Sequence, residues 1–190
     1  MIVCGQMAQV LVVYGTTEGH TRLIAETIVY WLQEDGHQAS ALDASKIDGE
    51  TALNGVDRVI VAGSIHQGKH QPALAHFVIK ERNRLISLPT AFLSVSLTAQ
   101  LDDAQHQGEV RMCVDRFFEE TGWSSPQVLC VAGALKYSQY DWMKRALMKA
   151  ISAQYGGDTD TSQDYVYTDW DELRQFVTDF MVGEASRNSA

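Results

Sequence analysis

The sequence predicts an α/β domain: a doubly wound parallel sheet of about five strands with helices on both faces. Three observations carry this expectation. Strong apolar runs at Val10–Val13, Val59–Ala62, Ala91–Leu97 and Val128–Ala132 are too continuous for a strand with one wet face and suit strands buried on both. Segments of helical periodicity separate them, and strand–helix alternation implies right-handed parallel crossovers. Polar or glycine-bearing turns follow the first three runs, on the side where such sheets bind ligands.

The elements follow in order. After Val10–Val13, apolar residues recur at Leu23, Ile24, Ile28, Trp31 and Leu32, a helical stripe between Thr21 and Gly36. Ala39–Leu42 is a weak strand, and a polar connection through Asn54–Gly55 leads to the strand Arg58–Ser64. Pro72 suits the first turn of a helix whose core stripe is Leu74, Phe77, Val78 and Leu85. Ala91–Leu97 is the next strand. The stretch Thr98–Gly108 reads as a long polar, acidic link and hence as a functional, mobile lid. Helical spacing resumes from Glu109 to Gly122 with Val110, Cys113, Val114, Phe117 and Phe118, before the strand Val128–Ala132. Near the end, Gly156–Thr161 makes a turn, Tyr165–Tyr167 an edge strand, and Thr168 with Asp171 resembles a capping box. Leu173, Phe176, Val177, Phe180 and Met181 give the final helix its core face. Residues 1–9 are expected to be an extension, 10–182 one domain and 183–190 a frayed tail.

Composition narrows the function. The chain has 190 residues, 45% of them hydrophobic, with three prolines and no low-complexity run, which fits one domain with a full core. Its formal net charge of −9 disfavours a general nucleic-acid role and suits solubility or a basic redox partner. Three cysteines, Cys4, Cys113 and Cys130, lack paired metal spacing, so a reducing cytoplasm and no metal site are expected. The amino terminus has no basic segment ahead of a long apolar run, so neither a signal peptide nor a membrane span is expected.

The stretch Val10–Thr21 carries the chemistry. A strand ends in Gly15-Thr-Thr-Glu-Gly-His-Thr21, and a helix begins at once. Thr16, Thr17 and Thr21 offer hydroxyl donors, Gly19 allows close backbone approach, and the opening amides of the helix favour an anion. Neither a Lys-Ser/Thr pair after the glycine nor a Gly-x-Gly-x-x-Gly turn is present, so a terminal monophosphate held by neutral donors fits better than a triphosphate or dinucleotide. The alternative is a capped turn with no ligand. Loops starting at Gly15, Ser64 and Ser94 are expected to converge on one crevice. Between Lys136 and Lys149, four basic residues stand against Asp141, a local charge of +3. That patch reads either as a surface for anionic lipid or another anion, or as a solvated helix face.

The spacing Thr16-x-Glu18-Gly19-x-Thr21 resembles the phosphate loop of flavodoxins. Val131–Tyr137, the Tyr140-x-Trp142 pair, Gly156–Thr161 and Val166-Tyr-Thr-Asp-Trp170 further resemble the flavodoxin-type, quinone-dependent protoporphyrinogen oxidases of bacterial haem biosynthesis. The likeness runs from Val10 to about Val182, and the C-terminal motifs are its specific part. It implies a long-chain flavodoxin-like fold, flavin mononucleotide (FMN) as cofactor, and oxidation of protoporphyrinogen IX with electrons passed to menaquinone or ubiquinone. It also implies a cytoplasmic protein with peripheral contact to the inner membrane. Carried over by position, Thr16, Thr17, Glu18, Gly19, His20 and Thr21 match the phosphate loop. Ser64, Ile65 and Gly68 match the middle loop, and Ser94, Val95, Ser96, Leu97, Thr98 and Ala99 the loop beside the flavin ring. Two features depart from the family pattern: His66, Gln67 and His70 replace aromatic and basic residues of the middle loop, and the insert Gln100–Gly108 is acidic rather than basic.

No Ser-His-Asp, Cys-His or paired-carboxylate set is recognisable, and flavin chemistry requires none. The substrate's two propionates call for cations, for which Lys69, Lys136, Lys144 and Arg145 are candidates, with His66 and His70 weaker ones. Two rival functions share the fold: a flavodoxin-like electron carrier between proteins, and an NAD(P)H-dependent quinone reductase.

Overall fold

The computed structural model describes residues 7–47, 53–101, 103–135 and 165–183. The Lys136–Lys149 patch, the Tyr140/Trp142 pair and the Gly156–Thr161 turn lie outside the described residues. In chain order the elements are β1 (Gln9–Gly15), α1 (His20–Glu34), β2 (Gln38–Asp43), β3 (Arg58–His66), β4 (Lys69–His70), α2 (Pro72–Ile86), β5 (Thr90–Ser96), α3 (Ala104–Thr121), β6 (Gln127–Ala132), β7 (Ala134–Leu135), β8 (Tyr165–Val166) and α4 (Trp170–Val182). Short 3₁₀ turns occupy Ala44–Lys46 and Thr98–Gln100.

Five strands pair in parallel in the order β2-β1-β3-β5-β6, the expected doubly wound, flavodoxin-like sheet. Strand order reverses between β1 and β3, and the crevice at such a switch point opens beyond the carboxyl ends of those strands. Register divides the core by strand parity. Val10, Val12, Tyr14, Ile60, Ala62, Ala91, Leu93 and Val95 pack with apolar residues of α1 and α4. Leu11, Val13, Val59, Val61 and Phe92 pack with those of α2 and α3. On the second face Phe92 stacks on Phe117 at 5.0 Å and meets Trp123 edge-on at 5.9 Å. β2 is an edge strand and is the least buried of the five, which explains its weak sequence signal.

Three elements differ from expectation. The stretch Thr98–Gly108 is not a continuous loop, because α3 starts at Ala104. Asp103 is its N-cap, accepting from the amides of Gln105 and His106 at 3.1 Å each. The middle loop is largely strand: β3 runs to His66, and a tight turn at Gln67-Gly68, both at positive φ, returns β4 antiparallel against it. The cap of α4 is Asp169 rather than Thr168; Asp169 accepts from the amides of Asp171 at 3.0 Å and Glu172 at 2.9 Å.

Gly15 and Gly63 pair across β1 and β3 at the foot of the crevice. A Cβ on Gly63 would lie 2.7 Å from Leu74 Cδ2 and 2.9 Å from the His70 ring, so helix α2 and β4 close over bare backbone. Replacing Gly63 with Ala should therefore cost about 1–3 kcal/mol by overpacking. Gly108→Ala, in α3 with no atom within 4 Å of the added carbon, should stabilise by about 0.5–1 kcal/mol. Urea midpoints of the two variants check this opposite pair of signs.

Candidate functional site

The first loop is built to leave amides available. Gly19 caps α1 in the left-handed region, φ 80°, with no side chain of its own to bond the helix, and the first turn holds no acidic residue. Helices α3 and α4, by contrast, each carry an aspartate cap. A Cβ at Gly19 would meet nothing within 4 Å, so the space over the helix N-terminus is open. Thr16 Oγ1 accepts from the Gly19 amide at 2.9 Å. The Thr21 hydroxyl is buried and has no hydrogen-bond partner among the described residues. An uncapped helix start, an orphaned hydroxyl and an open space fit a terminal phosphate monoester held by neutral donors.

The second loop abuts the first. Ser64, at the end of β3, donates to the Gly15 carbonyl at 3.5 Å and accepts from Gln71 Nε2 at 2.8 Å. The same Gln71 nitrogen donates to Thr17 Oγ1, so one carboxamide joins both loops. His70 turns inward beneath them, only 8% exposed, between the rings of Phe92 and Phe117 at 5.3 and 4.9 Å. Its Nε2 meets Ser94 Oγ at 3.0 Å. Burial pushes the His70 pKa down to about 4, so near neutral pH the ring carries no charge to offer a propionate. His66 and Lys69 sit exposed on the hairpin, whose Gly68 carbonyl accepts from Cys113 Sγ at 3.5 Å and from Arg116 at 3.3 Å. Burial also raises the Cys113 pKa, which keeps that thiol a donor.

The third loop begins later than the sequence suggests. Ser94 and Val95 are interior residues of β5, Ser94 fully buried with its hydroxyl facing His70 and Val95 in the core. Their side chains therefore face away from the crevice mouth. The loop proper is Leu97–Ala99, held by a Ser96 hydroxyl that accepts from the Ala99 amide at 3.2 Å. Beside it the C-terminal segment returns: the Ser96 carbonyl accepts from Gly133 N, and the Gly133 carbonyl from Tyr167 N, both at 3.0 Å.

His20 is the other residue whose side chain points elsewhere. It directly follows Gly19, yet its ring is buried against Trp170 and its Nε2 meets Thr168 Oγ1 at 2.8 Å. Thr168 in turn donates to the Ala132 carbonyl at 2.6 Å, and Trp170 stands edge-on to Trp31 at 6.3 Å. Thus Thr168, Asp169 and Trp170, the distinctive C-terminal run, build scaffold beneath the first loop. Among the predicted residues, Thr16, Thr17, Gly19, Thr21, Ser64, Ile65 and Leu97–Ala99 lie on the carboxyl edge around the switch point, with Glu18 in the first loop. Gly68 lies farther out, at the hairpin tip. Lys136, Lys144 and Arg145 lie outside the described residues. Gln71 was not anticipated; its one sequence signal was a polar residue just before the helix-starting Pro72.

A cleft of about 670 Å³ opens at the opposite, amino-terminal edge, among Arg58, Pro89, Trp123, Gln127 and Phe180. The seven residues of β5 put it about 20 Å from the loops, too far to share their ligand. Among the described residues no group of three or more His, Cys, Asp or Glu is placed to hold a metal, and no helix is long and apolar enough to cross a membrane.

Comparison with known proteins agrees with this geometry. The family described as "Flavodoxin domain" matches residues 11–162. A protein of Escherichia coli K12 named protoporphyrinogen IX dehydrogenase [quinone] is 34% identical over 167 residues, covering 88% of this chain and 91% of that one. A Leishmania major protein of the same name is 32% identical over 175 residues, covering 92% of this chain and 75% of its own. Among solved structures, a Streptococcus pneumoniae TIGR4 flavodoxin superposes with a TM-score of 0.54 at 15% identity, covering 95% and 99% of the two chains, a likeness of fold.

The buried His70 gives the site a pH signature. With a folded pKa of about 4 against an ordinary 6.5, the unfolded chain binds the proton more tightly. Its contribution to stability is complete above pH 6.5 and is lost as pH falls toward 4, about 3 kcal/mol across that window. A His70→Phe variant should show a shallower loss of stability between pH 6.5 and 4 in denaturant titrations.

Proposed function

The chain belongs to the flavodoxin-domain family, and from that premise we propose that it is an FMN-dependent dehydrogenase that oxidises protoporphyrinogen IX and reduces a quinone. The observation that carries this reading is the near end-to-end relation, 91% of the relative's length at 34% identity, to a protein named for that reaction. The uncapped start of α1, with its orphaned Thr21 hydroxyl, supports the cofactor.

When bound, FMN supplies the two-electron redox chemistry, and the protein supplies binding and orientation. Thr16, Thr17 and Thr21 with the first amides of α1 would hold the phosphate. Glu18 and Gly19 shape that loop, and His20 anchors it from behind. Ser64 and Ile65, with the backbone from Ser96 to Ala99, flank the continuation of the crevice. No side chain is assigned as acid or base. Lys69 is an exposed cation on the hairpin and a candidate for a propionate, as are Lys136, Lys144 and Arg145 outside the described residues. Peripheral contact with an anionic membrane from the cytoplasmic side, through the Lys136–Lys149 patch, belongs to the same proposal, with menaquinone or ubiquinone as acceptor. The quinone reading is favoured over the electron carrier because both relatives are named for it.

Protein reconstituted with flavin should release FMN, not the adenine dinucleotide, by mass spectrometry. Under anaerobic conditions it should convert protoporphyrinogen IX to protoporphyrin IX with three menaquinone analogues reduced per porphyrin, as removal of six electrons in pairs demands. Release of the dinucleotide, or fast reduction of one-electron protein acceptors without porphyrin turnover, would reject the reading. Lys144→Glu with Arg145→Glu should weaken binding to anionic vesicles, most visibly at low salt, with flavin content unchanged.

A further inference from the structure

We propose that Gln71 is a positioning residue that sets the polarity of the phosphate loop: its amide donates to Thr17 Oγ1 and so directs the Thr17 hydroxyl hydrogen outward, toward the anion. The inference rests on the FMN reading of the site.

A hydroxyl has one hydrogen and an oxygen that accepts. When an N–H donates to that oxygen, the hydrogen is left for another acceptor, and the bond it then makes is strengthened by the first. The loop does this twice. The Gly19 amide donates to Thr16 Oγ1 at 2.9 Å, and Gln71 Nε2 donates to Thr17 Oγ1. The second hydrogen of the Gln71 nitrogen goes to Ser64 Oγ, 2.8 Å away, whose own hydrogen is directed to the Gly15 carbonyl. Thr17 is exposed, and among the described residues no acceptor takes its hydroxyl hydrogen. Both threonines are therefore preset as donors facing an uncapped helix start.

Placement of Gln71 is specific. It is the residue before Pro72, which holds it extended at φ −58°, ψ 131°. Its Cβ lies 3.0 Å from where a side chain on residue 15 would begin, so the carboxamide reaches the first loop only because that position is Gly15. The loop from Gly15 to Thr21 has no Lys or Arg, and Arg22 is engaged with Glu26 at 2.7 Å. A dianion held by a loop that has no cation of its own depends on that loop's donors pointing at it, and this is what Gln71 secures at Thr17.

The test compares FMN with riboflavin, which lacks the phosphate, by calorimetry or flavin fluorescence on the full chain. Gln71→Leu keeps bulk and removes both donors. It should weaken FMN binding about tenfold, the scale of one hydrogen bond to a charged group, and leave riboflavin affinity unchanged. Thr17→Val should weaken FMN similarly, and the double variant should be no worse than Thr17→Val alone. Gln71→Glu, which presents an acceptor to Thr17, should weaken FMN more than Leu does, and serves alone if the Leu variant does not fold. Equal losses for FMN and riboflavin would make Gln71 only a spacer between loops. Unchanged or tighter FMN binding, or additive penalties, would overturn the proposal. Failure of the unaltered protein to bind FMN would instead overturn the cofactor reading itself.

Discussion

The geometry of the site depends on two glycines facing each other across β1 and β3. Gly15 and Gly63 are paired in register at the carboxyl end of the sheet, where strand order reverses. Because neither has a side chain, Gln71, Leu74 and His70 descend onto the strand ends. That descent places the start of α2 beside the first loop, lets one carboxamide touch Thr17 and Ser64, and seals His70 beneath the crevice. A methyl group at Gly63 would lift the layer above it, and both loops with it.

Most of the fold was legible because buried parallel strands advertise themselves. Val10–Val13 and Val59–Ala62 are apolar on both faces, and helices between them follow core stripes. What escaped was local chemistry decided by neighbours. The Asp103 cap was visible as an aspartate before Ala104, but the glutamines and glycine that follow give α3 an unpromising first turn, so the polar run reads as a link. Thr168 followed by Asp171 mimics a capping box, whereas the threonine is drawn inward by His20 and Ala132, leaving the cap to Asp169. The first loop was legible from its hydroxyls and glycine. The inward turn of His70 and the reach of Gln71 were not, since they follow from the absence of side chains on Gly63 and, far back in sequence, on Gly15.

The distinctive C-terminal residues acquire a physical role that differs from ligand contact. Val166 pairs with Ala134, the Tyr167 amide holds Gly133, Thr168 holds Ala132 and His20, Asp169 caps α4, and Trp170 packs on Trp31. The run works as a brace between β6 and α1. This run thus supports the first loop from behind, while the residues in front of that loop are short hydroxyls and backbone.

The His20–Thr168 bond joins residues 148 positions apart, and this separation bears on how the protein is made. The first loop leaves the ribosome well before the residue that fixes its anchoring histidine. At about 5–20 residues per second, synthesis separates the two by roughly seven to thirty seconds. During that interval the nascent chain has the first loop without its brace. The final geometry of the loop therefore waits for the C-terminal brace, long after its own residues have been joined.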